Sequence, residues 1–206
     1  MLFYILTALG GYLLGCSNMA FYLEKLMKKS VRGGGSGNLG ASNAVILLGW
    51  KAGILGGAHD IGKALLAVYL TQWLLPDLSY APAVAGVACV LGHIFPFYLK
   101  FKGGKGFASY VGMAFALNWK LALVIILLIF VVTVLTDYIV SATDMSAISF
   151  PLSMGIYTKS WILVLVLCIA SGVLLWRHRE NLIRIFIKGN EIGFRSAAKG
   201  EHRIKK

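Results

Sequence analysis

The sequence predicts an all-α polytopic membrane protein with about seven transmembrane helices. Of its 206 residues, 58% are hydrophobic and 14% are charged, and its mean hydropathy is +0.77; a soluble domain has about 25% charged residues. Apolar stretches alternate with short basic loops, and most stretches approach the ~20 residues that a helix needs to cross a membrane. Two are shorter, and we expect them to be tilted, broken or extended by their flanks. The predicted spans are 1–23, 52–75, 81–99, 107–117, 121–141, 146–157 and 161–176.

The distribution of basic residues predicts the orientation. All of the 20 Lys and Arg residues fall on one side of the predicted spans except Lys63, Lys120 and Lys159. Cytoplasmic loops carry an excess of Lys and Arg, so the basic side is predicted to be cytoplasmic. The N-terminus is then outside and the C-terminus is cytoplasmic. The whole chain, 1–206, is expected to form one membrane domain, with a polar and mobile tail over 190–206.

The net charge of +12 restricts the possible partners. In a soluble protein such a charge would indicate nucleic acid, but here the basic residues lie in loops between apolar spans. Anionic lipid and an anionic substrate are therefore the expected partners, and nucleic acid is not. No cofactor or metal is predicted, because no carboxylate cluster is present and the three cysteines, Cys16, Cys89 and Cys168, have no ligand spacing. The oligomeric state stays open, a monomer included.

The loop over 92–106 combines lysines with glycines between two apolar spans. Glycine lets backbone N–H groups approach a ligand closely and lysine supplies positive charge, so this composition suits a phosphate. The alternative is a basic loop that merely follows the positive-inside rule, although that rule does not require glycines. The predicted phosphate-binding residues of this loop are Lys102, Gly103, Gly104, Lys105 and Gly106.

Polar residues next to this loop allow two interpretations. His93 ends the preceding span and is predicted either to contact substrate or to hold the loop. Asp60 and Lys63 lie within the second span, where ionisable residues are costly. Because they are three residues apart on one helix face, they can form an internal ion pair, but they could also line the site.

A glycine-rich segment over 32–43 precedes a helix-compatible run. Its glycine spacing matches a dinucleotide-binding fingerprint, but a charged segment rather than a strand precedes it, so that interpretation is rejected. A turn of this kind can direct N–H groups and polar side chains at an anion, and a plain flexible loop is the alternative. The predicted substrate-binding residues here are Gly35, Ser36, Gly37, Asn38 and Asn43.

Polar residues also follow the fifth and seventh spans. In the former region, Asp137, Thr143 and Asp144 could reach a ligand or cap the next span, and Thr143 is counted among the substrate-binding residues.

After the last span, a helical continuation would place His178 and Asn181 on one face. A basic anchor on anionic lipid would explain Arg177 and Arg179, but it explains His178, Glu180 and Asn181 poorly.

With these residues in place, the chain resembles the bacterial acyl-phosphate:glycerol-3-phosphate acyltransferases of the PlsY type. The resemblance rests on three segments, in the family's order and on the predicted cytoplasmic side: 35–43, 92–106 and 177–181. It implies seven transmembrane helices and a plasma-membrane enzyme with a cytoplasmic active site. Such an enzyme transfers a fatty acyl group from acyl phosphate to the 1-hydroxyl of glycerol 3-phosphate, giving lysophosphatidic acid and phosphate.

The resemblance also implies roles for individual residues. Ser36 and its glycines would bind phosphate, with charge from Lys105. His178 and Asn181 would orient phosphate and carbonyl groups, and Glu180 would hold the third segment together. The predicted catalytic residues are therefore Ser36, Lys105, His178 and Asn181; Arg177 joins the predicted substrate-binding residues together with Glu180.

The expected chemistry is direct attack on an activated mixed anhydride, with His178 or the substrate's own phosphate as the base. Positioning the two anionic substrates could contribute ~7–11 kcal/mol. The chain departs from the family at Ile46 and Asp137, where the resemblance leads us to expect arginines, so a divergent member with an altered acceptor or weak activity is one alternative. An anion transporter is a less favoured one, because such folds use internal repeats and none is evident here.

Overall fold

The computed structural model describes residues 1–188, so the predicted tail over 190–206 lies outside the described residues. The described residues are entirely helical apart from turns and loops, which confirms the predicted class. They form nine α-helices: α1 (Leu2–Cys16), α2 (Met19–Met27), α3 (Ala41–Leu48), α4 (Trp50–Leu74), α5 (Ala81–Ile94), α6 (Phe107–Leu117), α7 (Trp119–Thr136), α8 (Ile139–Thr158) and α9 (Trp161–Ile183).

Five segments in the described part of the chain are long and apolar enough to cross a membrane: Leu2–Met27, Ala81–Leu99, Trp119–Thr136, Ile139–Thr158 and Trp161–Ile187. The other two predicted spans correspond to α4 and α6. Helix α4 has 25 residues but contains Asp60 and Lys63, whereas α6 has only 11 residues. The two pack closely, because Gly112 of α6 lies against the backbone of Ile61 in α4.

The helix boundaries follow from capping residues. The first predicted span is broken at Ser17 and Asn18, where the Asn18 side chain accepts a hydrogen bond from the N–H of Phe21 and starts α2. Asn118 and Ser160 cap α7 and α9 in the same way. Asp137 ends α7 in the left-handed conformation, with φ +66°, which aspartate tolerates better than most residues.

Small residues allow the closest helix contact, between α1 and α5. Gly11 and Gly15 of α1 lie against the backbone carbonyls of Ala85 and Cys89, so that any Cβ at either glycine would collide with α5. Close approach of this kind is typical of membrane helices, whose association depends on packing rather than on a hydrophobic driving force. The main core lies among α4 to α9, and a smaller core of Ala20, Val31, Leu39, Ala44 and Leu99 supports the loops at one end of the bundle.

Candidate functional site

Asn43 organises the first loop, which is the glycine-rich segment over 32–43. Its buried side chain donates hydrogen bonds to the carbonyls of Val31 and Asn38 (N···O 2.7 and 2.9 Å) and accepts one from the N–H of Ser36 (2.9 Å). Gly35 adopts φ +57°, and a Cβ there would collide with Asn43 Oδ1. The predicted ligand Asn43 is therefore placed inside the loop that it supports. It is 1% exposed.

The Ser36 hydroxyl lies at the surface of this loop. Asn38 Nδ2 donates to Ser36 Oγ at 2.8 Å, while Asn38 Oδ1 accepts from the N–H of Gly40 at 2.9 Å. Since Asn38 donates to the hydroxyl oxygen, the Ser36 proton is directed elsewhere and can be donated to an anion. Gly37, with φ +67°, closes the turn through its N–H to the Gly34 carbonyl.

The second loop, which is the lysine- and glycine-containing loop over 92–106, folds back onto the end of α5. The N–H groups of Gly103 and Gly104 donate to the carbonyls of Ile94 and His93, at 3.0 and 3.2 Å. A Cβ on Gly103 would collide with the His93 carbonyl, and one on Gly104 would collide with the His93 ring. Gly106 starts α6 at φ +94°. Close backbone packing thus requires glycine at these positions. The N–H groups of Gly103 and Gly104 are directed towards α5.

One backbone contact joins the two loops, because the Leu39 N–H donates to the Gly103 carbonyl at 3.4 Å. Leu39 itself is fully buried in the smaller core. The first and second loops therefore form one surface, although Leu39 and Gly103 are 64 positions apart in the sequence. The third segment reaches this surface from α9, where Asn181 accepts a hydrogen bond from Lys105 Nζ.

A cavity of about 300 Å³ opens where the three segments meet. Four basic side chains and one acidic side chain face it, so its balance of charge favours an anion. Its lining residues are Ser36, Gly37, Asn38, Lys102, Lys105, Trp176, Arg177, Arg179 and Glu180. Sequence reasoning assigned seven of these to the site and missed two. It did not include Trp176, and it attributed Arg179 to a lipid anchor, whereas Arg179 faces the cavity.

Arg177 has an additional feature in this cavity. Its Nε is buried and has no hydrogen-bond partner among the described residues. A buried donor without a partner is costly, and a planar guanidinium can bind a phosphate through two parallel hydrogen bonds. Trp176 supports both neighbouring arginines, since the Arg177 and Arg179 guanidinium carbons lie 5.9 and 5.0 Å from its ring centroid.

His178 lies behind this cavity, in contact with α8. Its Nδ1 is 2.7 Å from Asp144 Oδ1 and 3.3 Å from Thr143 Oγ1. All three residues are buried, at 3%, 8% and 3% exposure for His178, Asp144 and Thr143. The sequence left Asp144 as a ligand-facing or capping residue, and the structure instead pairs it with a histidine 34 positions away.

His93 lies apart from the cavity lining, in a polar cluster between α4 and α5. Lys63 Nζ is 2.9 Å from both Asp60 Oδ1 and His93 Nδ1 and donates to the Ser17 carbonyl at 2.7 Å. Asp60 and Lys63 are almost fully buried and form an internal ion pair, and the same Asp60 oxygen lies 3.2 Å from His93 Nδ1. The pair therefore does not supply the open mid-membrane site that a transporter would need. Through Gly104, the ring of His93 supports the second loop.

The helices and the cavity define a class: an integral membrane protein with a basic cavity that two loops and the last turns of α9 form at one end of its helical bundle. The sequence profile of the glycerol-3-phosphate acyltransferase family matches residues 5–188. The chain belongs to this family.

Individual relatives agree with the family profile. The glycerol-3-phosphate acyltransferase of Thermoanaerobacter pseudethanolicus is 35% identical over 182 residues, which cover 88% of this chain and 91% of the relative. The Staphylococcus aureus enzyme of the same name is 35% identical over 196 residues, which cover 91% and 96%.

Solved structures also resemble the chain. The crystal structure of PlsY (YgiH), an integral membrane glycerol 3-phosphate acyltransferase, in its glycerol 3-phosphate form superposes with a TM-score of 0.87 at 28% identity, over 95% of this chain and 98% of that one. Its lysophosphatidic acid form gives a TM-score of 0.79 at 27% identity, over 98% and 95%.

Proposed function

We propose that this membrane enzyme transfers a fatty acyl group from acyl phosphate to the 1-hydroxyl of glycerol 3-phosphate. The products are lysophosphatidic acid and inorganic phosphate. The observation that carries the proposal is the cavity between the two loops and α9, in a chain whose relatives are named for acylation of glycerol 3-phosphate. The structurally similar PlsY was determined with glycerol 3-phosphate and with lysophosphatidic acid, which are the acceptor and product of this reaction.

The cavity supplies the groups that two phosphorylated substrates need. Lys102, Lys105 and Arg177 contribute charge along its wall, and Ser36 contributes a hydroxyl donor. Hydrogen bonds from charged donors to phosphate are about twice as strong as neutral ones. We assign phosphate binding to these four side chains, while the glycines and Asn43 shape the loops that present them.

The chemistry needs little covalent participation by the protein. Acyl phosphate is a mixed anhydride, so its carbonyl is already activated and phosphate is a competent leaving group. Lys105 and Asn181, which are hydrogen-bonded to each other, would stabilise charge that develops on the phosphate and carbonyl oxygens. Among the described residues no serine or threonine hydroxyl is bonded to His178 Nε2, which favours direct attack over an acyl-enzyme.

We further propose a location and topology. The basic loops and the cavity that they line would face the cytoplasm of a bacterial plasma membrane, with α4 and α6 completing seven crossings as one domain. Anionic phosphorylated substrates would then reach the site from the cytoplasm, and the acyl chain would lie in the bilayer beside it.

The test is phosphate release from palmitoyl phosphate by the purified full-length protein, with and without glycerol 3-phosphate. We expect release that depends on glycerol 3-phosphate, together with formation of lysophosphatidic acid. Equal release with and without the acceptor would indicate hydrolysis only. No release by folded protein would contradict the proposed reaction.

A divergent acceptor is the second candidate, and Ile46 motivates it. Its side chain lies beside the first loop, with Cγ2 3.8 Å from the position that a Cβ on Gly35 would occupy. If this site lacks a phosphate-binding arginine, Ile46→Arg should lower the KM for glycerol 3-phosphate by roughly tenfold, the effect of one charge-assisted hydrogen bond. Ser42→Arg, at an exposed position of the same helix that does not line the cavity, is the control. An unchanged KM would indicate that Arg177 and Arg179 already supply the guanidinium contacts.

A further inference from the structure

Trp176 is the aromatic residue in the lining of the basic cavity, within the part of the chain that the structure describes. Two guanidinium groups lie against its ring, because the Arg179 and Arg177 guanidinium carbons are 5.0 and 5.9 Å from the ring centroid. A cation within about 6 Å of an aromatic ring is attracted to its face, and tryptophan gives the strongest contact of this kind. One side chain thus contacts both arginines of the cavity wall.

The Trp176 ring is held by a helix other than its own. Its centroid lies 6.3 Å from that of Phe95, the residue that ends α5. The Phe95 carbonyl in turn accepts a hydrogen bond from Tyr12 of α1 at 2.7 Å. Phe95 is followed in the chain by the segment that carries Lys102 and Lys105. The ring therefore connects α9 to the helix end at which the second loop begins.

The two arginines have hydrogen-bond donors available for a ligand. Within the described part of the chain, neither guanidinium forms a hydrogen bond or an ion pair, and Arg177 Nε is buried. A buried donor without a partner is costly, so this arrangement is better explained by a ligand than by stability. Because both arginines line the cavity, a basic anchor on anionic lipid does not account for them.

The four basic residues of the cavity form two pairs on separate elements. Lys102 and Lys105 belong to the second loop, whereas Arg177 and Arg179 belong to α9. The proposed reaction brings two phosphate groups together, each with a charge of about −1.5 to −2 at neutral pH. Two such groups repel each other unless cations lie beside each of them. One basic pair for each phosphate satisfies that requirement.

We propose that Trp176 is a positioning residue that holds the guanidinium groups of Arg177 and Arg179 at the cavity, where this pair binds the phosphate of one of the two substrates. This inference rests on the proposed function. The recognised group is a terminal phosphate, and guanidinium binds it through two parallel hydrogen bonds. Both acyl phosphate and glycerol 3-phosphate carry such a group, and separate KM measurements identify which of them the pair binds.

The decisive variant is Trp176→Leu, which keeps an apolar side chain but removes the ring face. We expect the KM for one of the two substrates to rise roughly fivefold to tenfold, the effect of losing two cation–π contacts. The KM for the other substrate and kcat should stay close to the wild-type values, and the retained kcat would also show that the variant folds. Trp176→Phe, which keeps a weaker aromatic face, should restore most of the lost affinity.

Trp119→Leu is the matched control. Trp119 is also exposed and has a cation beside its ring, with Lys120 Nζ 5.7 Å from the centroid, but it does not line the cavity. Two tryptophans that only anchor the protein at the membrane interface should respond alike. KM values that are unchanged or equally raised for both substrates in Trp176→Leu, a loss of kcat alone, or the same changes in Trp119→Leu would each overturn the proposal.

A second measurement does not depend on turnover. In the wild-type protein, inorganic phosphate should slow the modification of Arg177 and Arg179 by phenylglyoxal, measured by peptide mass spectrometry. It should not slow modification of Arg32, which pairs with Glu24 at 3.0 Å away from the cavity lining. In Trp176→Leu, the same protection should need a higher phosphate concentration. Modification of Arg177 and Arg179 that phosphate does not slow would contradict the binding site.

The two proposals can fail separately. A wild-type protein that does not acylate glycerol 3-phosphate would contradict the proposed function, whereas protection by inorganic phosphate would still decide whether the two arginines bind phosphate and whether Trp176 holds them in place.

Discussion

At the residue scale, the site separates side chains that face the cavity from side chains that hold the loops. Ser36 and Asn43 lie seven positions apart in one motif, but Ser36 is exposed on the cavity and Asn43 is buried beneath the loop. Three backbone carbonyls accept hydrogen bonds from the Asn43 amide. A motif of polar residues and glycines thus contains one hydroxyl that faces the cavity and one internal support.

Substitution of Ser36 tests this division. Ser36→Ala should raise the KM for glycerol 3-phosphate by roughly tenfold, because one hydrogen bond to a charged phosphate contributes about 1.5–3 kcal/mol. The fold should be retained, since the Ser36 side chain is exposed. Steady-state kinetics and thermal unfolding of the detergent-purified protein would measure both quantities.

Ser42→Ala is the matched control for that substitution, because Ser42 is exposed on α3 and does not line the cavity. Equal KM values for the two variants would contradict a direct contact between Ser36 and phosphate.

At the element scale, the position of the second loop depends on its contacts with α5 as much as on the loop's own residues. Its glycines lie against the last turn of α5, and the His93 ring that supports Gly104 is itself fixed by Lys63 of α4. The position of Lys105, and hence of the charge in the cavity, therefore depends on a buried polar cluster between two helices. Removing one partner of such a buried pair typically costs about 3–5 kcal/mol.

Gly104→Ala tests this support. The added Cβ would collide with the His93 ring, so the loop must move, and such overpacking typically costs about 1–3 kcal/mol. We expect a lower melting temperature because the packing of the loop is disturbed. We also expect a lower kcat/KM, because Lys105 follows directly in the chain.

The control is Gly172→Ala in α9, where a new Cβ would meet no atom within 4 Å. There, alanine should be neutral or stabilise the helix by about 0.5–1 kcal/mol. A Gly104→Ala variant as stable and active as this control would contradict the packing argument.

At the scale of the whole molecule, the three segments that line the cavity lie at the same end of the bundle, and the proposed topology has that end facing the cytoplasm. In a background with Cys168→Ser, which removes the exposed cysteine, we expect Ser79→Cys to react with a membrane-impermeant maleimide on intact spheroplasts. Ser30→Cys, in the connection between α2 and α3, should react only after permeabilisation. The reverse pattern would contradict the proposed orientation.

The sequence by itself determined the membrane class, most of the helical segments and the three segments that line the cavity. These features depend on composition, on apolar stretches of helical length and on local combinations such as lysine beside glycine, all of which are visible in a linear chain. Five of the residues that line the cavity were identified in this way, and the family resemblance added Arg177 and Glu180.

Only the tertiary structure decided which polar residues face the cavity and which support it. His93 and Asn43 resemble ligands in sequence, but packing turns them inward towards Lys63 and the first loop. The pairing of Asp144 with His178 was not visible either, because it depends on the contact of α8 with α9 rather than on spacing along the chain. Local chemistry is thus readable from sequence, whereas long-range pairing depends on how the helices pack.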